Sequence, residues 1–90
     1  MKKVILGNKE FELLKLLQNN PKYTTADCGK ILFPDLDEYT AECRIFSLAT
    51  NLRVKGIPMM RVSRYVFPKV NTRRVEKLKY RRVEVEVEGN

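Results

Sequence analysis

The chain contains few of the side chains that carry out catalysis. It has 90 residues and no histidine, which excludes a Ser/His/Asp or Cys/His nucleophile pair, an imidazole proton shuttle and a histidine metal ligand. Asp35, Asp37 and Glu38 are carboxylates of the kind that hold Mg²⁺ for hydrolysis, but they follow Pro34 in a turn-like segment, where aspartate is common in any protein. We therefore predict that the protein is not an enzyme and uses no metal or cofactor.

Cysteine and glycine chemistry is equally limited. Cys28 and Cys43 lie 15 positions apart, and neither belongs to a C-x-x-C pair. The sequence therefore supports neither a zinc site nor a redox dithiol. We expect both cysteines to be small buried thiols in a reducing compartment. The four glycines form neither a P-loop nor a dinucleotide-binding motif.

The basic residues, in contrast, are concentrated in one half of the chain. Residues 1–40 carry six lysines and six acidic residues, so this part has no net charge. Residues 44–82 carry twelve basic residues and one acid, and eight of the twelve are arginine, whose planar guanidinium fits phosphate oxygens and guanine edges. A segregated basic half indicates a polyanionic partner such as nucleic acid. Apolar runs fall far short of the roughly 20 residues of a membrane helix, so we expect a cytoplasmic protein without membrane contact.

Helical spacing of apolar residues predicts two helices in the first third of the chain. Asn8 is a candidate N-cap for the first, which extends to Gln18 with a broad apolar face. The second follows Thr24, with Asp27 three residues later in a position typical of a capping box, and it stops at Pro34.

The third helix has the clearest limits. Asp37 or Thr40 can cap its N-terminus, and Gly56 fits the left-handed position just beyond its C-terminus, where Pro58 prevents continuation. Apolar residues that recur at spacings of three and four predict its core-facing side. They are Ala41, Ile45, Leu48, Ala49 and Leu52.

After Pro58 the composition favours strands. Residues 59–68 are rich in β-branched and aromatic side chains, which predicts a β-hairpin with Ser63 and Arg64 at its turn. Residues 73–82 fit a basic helix or a strand, and residues 83–88 alternate between Val and Glu, as in a strand or a frayed tail. Such a strand could pair across a dimer axis.

This order of elements resembles the winged helix-turn-helix DNA-binding domains of the biotin-operon-repressor type. The segment LRVKGIPM at residues 52–59 is similar to the L-R-x-x-G-I-P-I passage by which many bacterial and phage members leave the recognition helix and enter the wing. Residues 25–32 are similar to the second helix of that group, with Gly29 where the helices cross. The resemblance covers residues 9–68. Two departures are a longer connection between the second and third helices and a short wing without its usual glycine.

The resemblance, together with the composition of the residues that it does not cover, predicts an α+β fold in two parts. Residues 1–70 would form a three-helix winged helix-turn-helix domain with a short β-hairpin wing. Residues 71–90 would form a C-terminal extension that is first basic and then rich in Val and Glu.

If the third helix enters a major groove, the exposed face of its N-terminal turns supplies base contacts and the surrounding cations contact phosphates. An ordinary solvated helix face is the alternative, and Arg53 and Lys55 could instead complement the helix dipole. The base contacts that we expect are Thr40, Arg44, Ser47 and Asn51. The expected backbone and wing contacts are Arg53, Lys55, Arg61, Arg64, Lys69, Arg73 and Arg74.

These observations predict a protein that binds double-stranded DNA at specific base sequences. Such a protein would be either a small transcriptional regulator or a phage- or plasmid-type accessory factor. A homodimer through the C-terminal extension remains open. The alternatives are a protein-interaction module that binds an acidic protein partner and an RNA-binding protein. A metal-dependent nuclease is a remote third.

Overall fold

The protein has an α+β fold, as the sequence predicts. A computed structural model describes residues 2–62, 65–69, 72–77 and 82–87, and these contain three helices and two small antiparallel sheets. No helix in these segments is long and apolar enough to cross a membrane. In chain order the elements are β1 (Lys2–Gly7), α1 (Asn8–Asn19), α2 (Thr25–Leu32), α3 (Glu38–Val54), β2 (Met59–Val62), β3 (Tyr65–Pro68), β4 (Thr72–Lys77) and β5 (Arg82–Val87).

Hydrogen bonds between side chain and backbone determine where α2 and α3 begin. The Thr24 hydroxyl accepts from the Asp27 N–H (3.1 Å) and the Asp27 carboxylate accepts from the Thr24 N–H (3.0 Å), which confirms the predicted capping box. At α3 the cap is Asp37, whose carboxylate accepts from the Thr40 N–H (3.2 Å). Hydrogen bonds from the N–H and hydroxyl of Thr24 lower the pKa of Asp27, and those from the hydroxyl and N–H of Thr40 lower the pKa of Asp37.

The start of α1 differs by one residue from the prediction. Asn8 is the first helical residue and Gly7, in an extended conformation, is the cap. The reason is Glu10 in the first turn. Its carboxylate accepts a hydrogen bond from the Gly7 N–H (2.8 Å), which gives a backbone donor at the start of the helix a partner. The Asn8 amide donates instead to the Glu12 carboxylate (3.1 Å).

The C-terminus of α3 is a Schellman motif, which confirms the role of Gly56. Gly56 has a φ of 105°, its N–H donates to the Arg53 carbonyl (3.1 Å), and the Ile57 N–H donates to the Leu52 carbonyl (2.9 Å). Ile57 is fully buried and supplies the apolar contact of the motif. The chain therefore leaves α3 at a defined angle and enters β2.

The crossing of α2 and α3 depends on the absence of a side chain at Gly29. A Cβ atom at this position would lie 3.1 Å from the Ala41 Cβ and 3.2–3.3 Å from the backbone of Ala41 and Glu42. Backbone atoms cannot yield without moving a helix, so Gly29 sets how closely α3 approaches α2.

Replacing Gly29 with valine should therefore lower the free energy of unfolding by about 1–3 kcal/mol, a typical cost of overpacking. Urea titration followed by circular dichroism measures the change. Gly7→Ala is the control for adding a Cβ atom where there is room, because a Cβ at Gly7 would meet its nearest neighbour at an ordinary 3.5 Å. A Gly29→Val protein as stable as the unmodified chain would show that the helices do not need this close approach.

The three-stranded sheet has the order β1-β5-β4, with both pairings antiparallel. Lys2 of β1 pairs with Val87 of β5, so the two ends of the described chain lie side by side. Val83, Val85 and Val87 are buried in the same core cluster as the leucines of α1. The basic stretch, for which helix and strand remained open, contains β4, and the Val/Glu stretch, for which a strand and a frayed tail remained open, contains β5.

The hairpin of β2 and β3 confirms the prediction for residues 59–68, and the predicted turn at Ser63 and Arg64 lies outside the described residues. Met59 and Val66 are buried on its inner face, and the Lys69 N–H donates to the Pro58 carbonyl (2.9 Å) at its base. The hairpin therefore packs on the helices directly after α3.

Candidate nucleic-acid interface

The four predicted base-contacting residues lie on one stripe of α3. Thr40, Arg44, Ser47 and Asn51 are spaced by four, three and four positions, which places them along one side of a helix. Arg44, Ser47 and Asn51 are exposed and Thr40 is half-buried. The opposite side of α3 faces the core through Ala41, Ile45, Ala49 and Leu52.

Cys43 is exposed on this face, so the expectation that both cysteines are buried is wrong for it. That expectation rested on residue type, whereas helical spacing places position 43 away from the buried positions 41 and 45. Together with Thr50 and Val54, which are also exposed, Cys43 extends the solvent face beside Ser47. Sequence reasoning missed Cys43 and Val54 as parts of this surface.

Cys28 is buried as predicted, between α2 and the rest of the core. Burial, together with the neighbouring negative charge of Asp27, raises the pKa of the Cys28 thiol to about 11. The thiolate needed for alkylation is therefore both scarce and shielded at neutral pH.

The two thiols should consequently react very differently. Iodoacetamide at neutral pH should modify Cys43 alone in the folded protein and both cysteines in urea, as intact mass spectrometry will show. The Cys43→Ser variant is the control and should stay unmodified until it unfolds. Rapid labelling of Cys28 without denaturant would contradict the packing of α2.

Electrostatics vary along α3. Asp35, Asp37 and Glu38 are exposed at its N-terminus, so a polyanion is repelled there. Arg44 and Arg53 are exposed in its middle and last turns and form no ion pair within the described part of the chain. A phosphate backbone is therefore better accommodated beside the central and C-terminal turns than beside the first turn.

Glu42 connects α3 to α2 through a hydrogen bond. Its carboxylate accepts a hydrogen bond (2.9 Å) from the hydroxyl of Thr25, which is 1% exposed. The bond links the start of α2 to α3 and satisfies a buried hydroxyl. Glu42 therefore positions the two helices relative to each other.

Lys55, although partly exposed, forms an ion pair with a buried carboxylate of the same chain. Its ammonium contacts the carboxylate of Glu10, a side chain of which only 9% is exposed. This pair connects the C-terminal end of α3 to the first turn of α1. The structure thus gives Lys55 a structural partner, and a phosphate contact from it remains a prediction.

Arg61 connects the hairpin to α3. Its guanidinium lies over the ring of Phe46, 4.2 Å from the ring centre, while the side chain remains exposed. Stacking pre-organises the guanidinium and leaves its N–H donors at the edge free to bind a phosphate. The contact brings the cation of β2 beside the exposed face of α3.

The remaining predicted cations divide into two groups. Arg53 and Lys69 are exposed. Arg64 lies outside the described residues, and for Arg73 and Arg74 the structure gives only backbone positions in β4. Arg82, which sequence reasoning did not select, is exposed at the start of β5 and shares a surface cleft with Lys55.

The carboxylates considered for a nuclease, Asp35, Asp37 and Glu38, are all exposed. Asp37 is engaged as the cap of α3, and the described segments contain no group of three Asp, Glu or Cys side chains that could hold a metal ion. The candidate site that remains is the exposed face of α3 together with the hairpin docked against it. No protein-family model, curated protein or solved structure matches this chain.

Proposed function

We propose that this protein binds double-stranded DNA with the exposed face of α3 and the adjacent hairpin, in the manner of a winged helix-turn-helix domain. The observation that carries the proposal is the Arg61–Phe46 contact, which joins the basic hairpin to the helix that bears Arg44, Ser47 and Asn51. An α-helix fits the major groove, and Arg44 has the fork of donors that recognises guanine. The adjoining cations supply phosphate contacts.

The arrangement favours recognition of DNA sequence over catalysis. Ser47, Thr50 and Asn51 are short hydrogen-bonding side chains, which suit contact with base edges across a close interface. We infer a cytoplasmic regulator or a phage- or plasmid-type accessory factor that acts by occupying its site. The acidic first turn of α3 favours an approach in which the helix centre, rather than its N-terminus, lies deepest in the groove.

We infer that a dimer through the C-terminal extension would use an edge of the three-stranded sheet. Both edges of β5 are hydrogen-bonded within the chain, to β1 and to β4, so pairing of β5 across a dimer axis, which the sequence left open, would require one of these pairings to open. Among the described strands of the extension, the outer strand is β4. Sedimentation equilibrium of the full chain will determine whether a dimer forms there.

Fluorescence anisotropy tests the proposal. The full chain is titrated onto a random 30-bp duplex, single-stranded DNA and an RNA hairpin, each between 50 and 300 mM salt. With six phosphate contacts, the slope of log affinity against log salt on duplex DNA should be about −5, which amounts to roughly 10⁴-fold between the two salt concentrations.

Three other outcomes would each replace or overturn part of the proposal. Preference for the RNA hairpin at equal salt would replace DNA by structured RNA. The absence of duplex binding at 50 mM would overturn the proposal and direct the search to a protein partner. Plasmid cleavage with Mg²⁺ or Mn²⁺ would overturn the non-catalytic assignment.

A further inference from the structure

The outer face of the β2–β3 hairpin is apolar. Pairing of Met60 with Phe67 and of Val62 with Tyr65 places these four side chains on one face, because residues on a strand alternate between faces. Val62 is 53% exposed, Tyr65 40% and Met60 37%, while Phe67 is half-buried. The inner face carries Met59 and Val66 in the core instead.

This apolar face reaches the tip of the hairpin. Val62 and Tyr65 form the last pair before the turn, so the most exposed apolar side chain lies farthest from the core. Val62 and Tyr65 contact each other across the strands, and their exposed surfaces are accessible to a ligand.

The charges of the hairpin indicate which ligand. Among its described residues Arg61 and Lys69 are exposed cations and none is acidic, and Arg61, which pairs with Val66, lies on the opposite face over Phe46. A partner that engages both the cations and the apolar face combines anionic groups with apolar surfaces. A nucleic acid has this composition, since its bases are apolar on their faces and its phosphates flank them.

A second copy of the chain fits the face poorly. Taking about 200 Å² of surface for a side chain of this size, Met60, Val62 and Tyr65 together expose on the order of 250 Å², whereas a stable interface buries about 800 Å² on each partner. Self-association would also bring two hairpins of the same charge together. Both considerations favour a smaller apolar contact, of the size of one or two base steps.

We propose that the hairpin tip is an apolar wedge that packs against unstacked bases, so that the protein kinks the DNA it binds. The inference rests on the proposed DNA-binding function and adds a second mode of contact to it. Apolar and aromatic side chains that insert at base steps bend the duplex by about 20–90°. Pyrimidine–purine steps unstack most easily, so the wedge selects TA and CA steps by their flexibility.

The test monitors binding and unstacking separately. A 30-bp duplex carries 2-aminopurine in place of adenine at a TA step, and unstacking of this base raises its fluorescence. The same duplex carries a donor–acceptor dye pair at its ends, and energy transfer between the dyes reports bending. Anisotropy records binding on the same sample at 50 mM salt. The full chain should raise the 2-aminopurine signal and shorten the end-to-end distance at saturation.

Two single-residue variants make the test specific. Val62→Lys adds a cation to the tip, so it should bind the duplex at least as tightly and yet lose most of the 2-aminopurine signal, at least fivefold. The matched control is Ile5→Lys, which makes the same change at a side chain that is 50% exposed on β1, and it should keep the signal. Tyr65→Ala should weaken binding by about 5- to 150-fold if one base stacks on the ring.

The outcomes separate the two proposals. Saturable duplex binding without any 2-aminopurine or distance change would overturn the wedge and leave DNA binding in place. An unchanged signal with Val62→Lys would overturn it as well, as would a dimer in sedimentation that this variant dissociates. If the duplex does not bind at all at 50 mM salt, the DNA-binding function fails and the wedge with it.

Discussion

Replacing Val85 with aspartate should unfold the protein. Val85 has no exposed surface and lies on the central strand β5, between Val4 of β1 and Arg74 of β4. A buried carboxylate without a partner costs several kcal/mol, in addition to the loss of the apolar side chain. A domain of this length has only about 5–13 kcal/mol of stability in total. Circular dichroism and urea titration will measure the loss.

The control for this variant lies one residue away. Glu84 faces the other side of β5, with 19% of its side chain exposed and its carboxylate 3.8 Å from the Lys3 ammonium. A long, partly exposed pair of this kind contributes about 0–1 kcal/mol, so Glu84→Ala should stay folded. A folded Val85→Asp protein of nearly normal stability would show that β5 is not part of the core and that residues 1–70 suffice for folding.

The local signals of the sequence predict its local structure well. The capping box of Thr24 and Asp27, the left-handed Gly56 before Pro58 and the close approach at Gly29 all involve residues within a few positions of each other or one helix crossing. The conformation at each of these positions is determined by neighbouring residues. Such signals gave the helices, the hairpin and the order of elements without any knowledge of tertiary structure.

Long-range pairing was the part that the sequence left undetermined. The alternation of Val and Glu in residues 83–88 predicts a strand but not its partner, and that partner is β1, whose Lys2 pairs with Val87. The basic residues before it are compatible with a helix until β5 supplies an edge for β4 to join. Pairing between the two ends of the chain leaves no short-range trace in the sequence.

In the candidate site, too, the local arrangement was predictable and the long-range contacts were not. Helical spacing correctly placed Thr40, Arg44, Ser47 and Asn51 on one stripe. It did not reveal that Lys55 pairs with Glu10, because that contact joins residues 45 positions apart. The role of a cation therefore depends on tertiary contacts more than on its position in a motif.

A large functional effect should follow from neutralising Arg53 and Lys69 together, two of the expected backbone contacts. Both are exposed in the basic half and form no ion pair among the described residues, so each is free to contact a phosphate. Losing two contacts should reduce the salt slope on duplex DNA by about 1.8, from about −5 to about −3, and weaken binding roughly 50-fold at 100 mM salt. Anisotropy titrations between 50 and 300 mM salt measure both quantities.

The matched control makes the same change in net charge elsewhere. Lys15 and Lys22 are exposed in the half of the chain without net charge, and their double replacement by alanine should leave the slope within about 0.5 of its original value. A general attraction between a basic protein and DNA would lower the slope equally in both double variants. Equal slopes would therefore contradict an interface built on α3 and the hairpin, whereas a loss confined to Arg53→Ala/Lys69→Ala locates the phosphates on that side of the molecule.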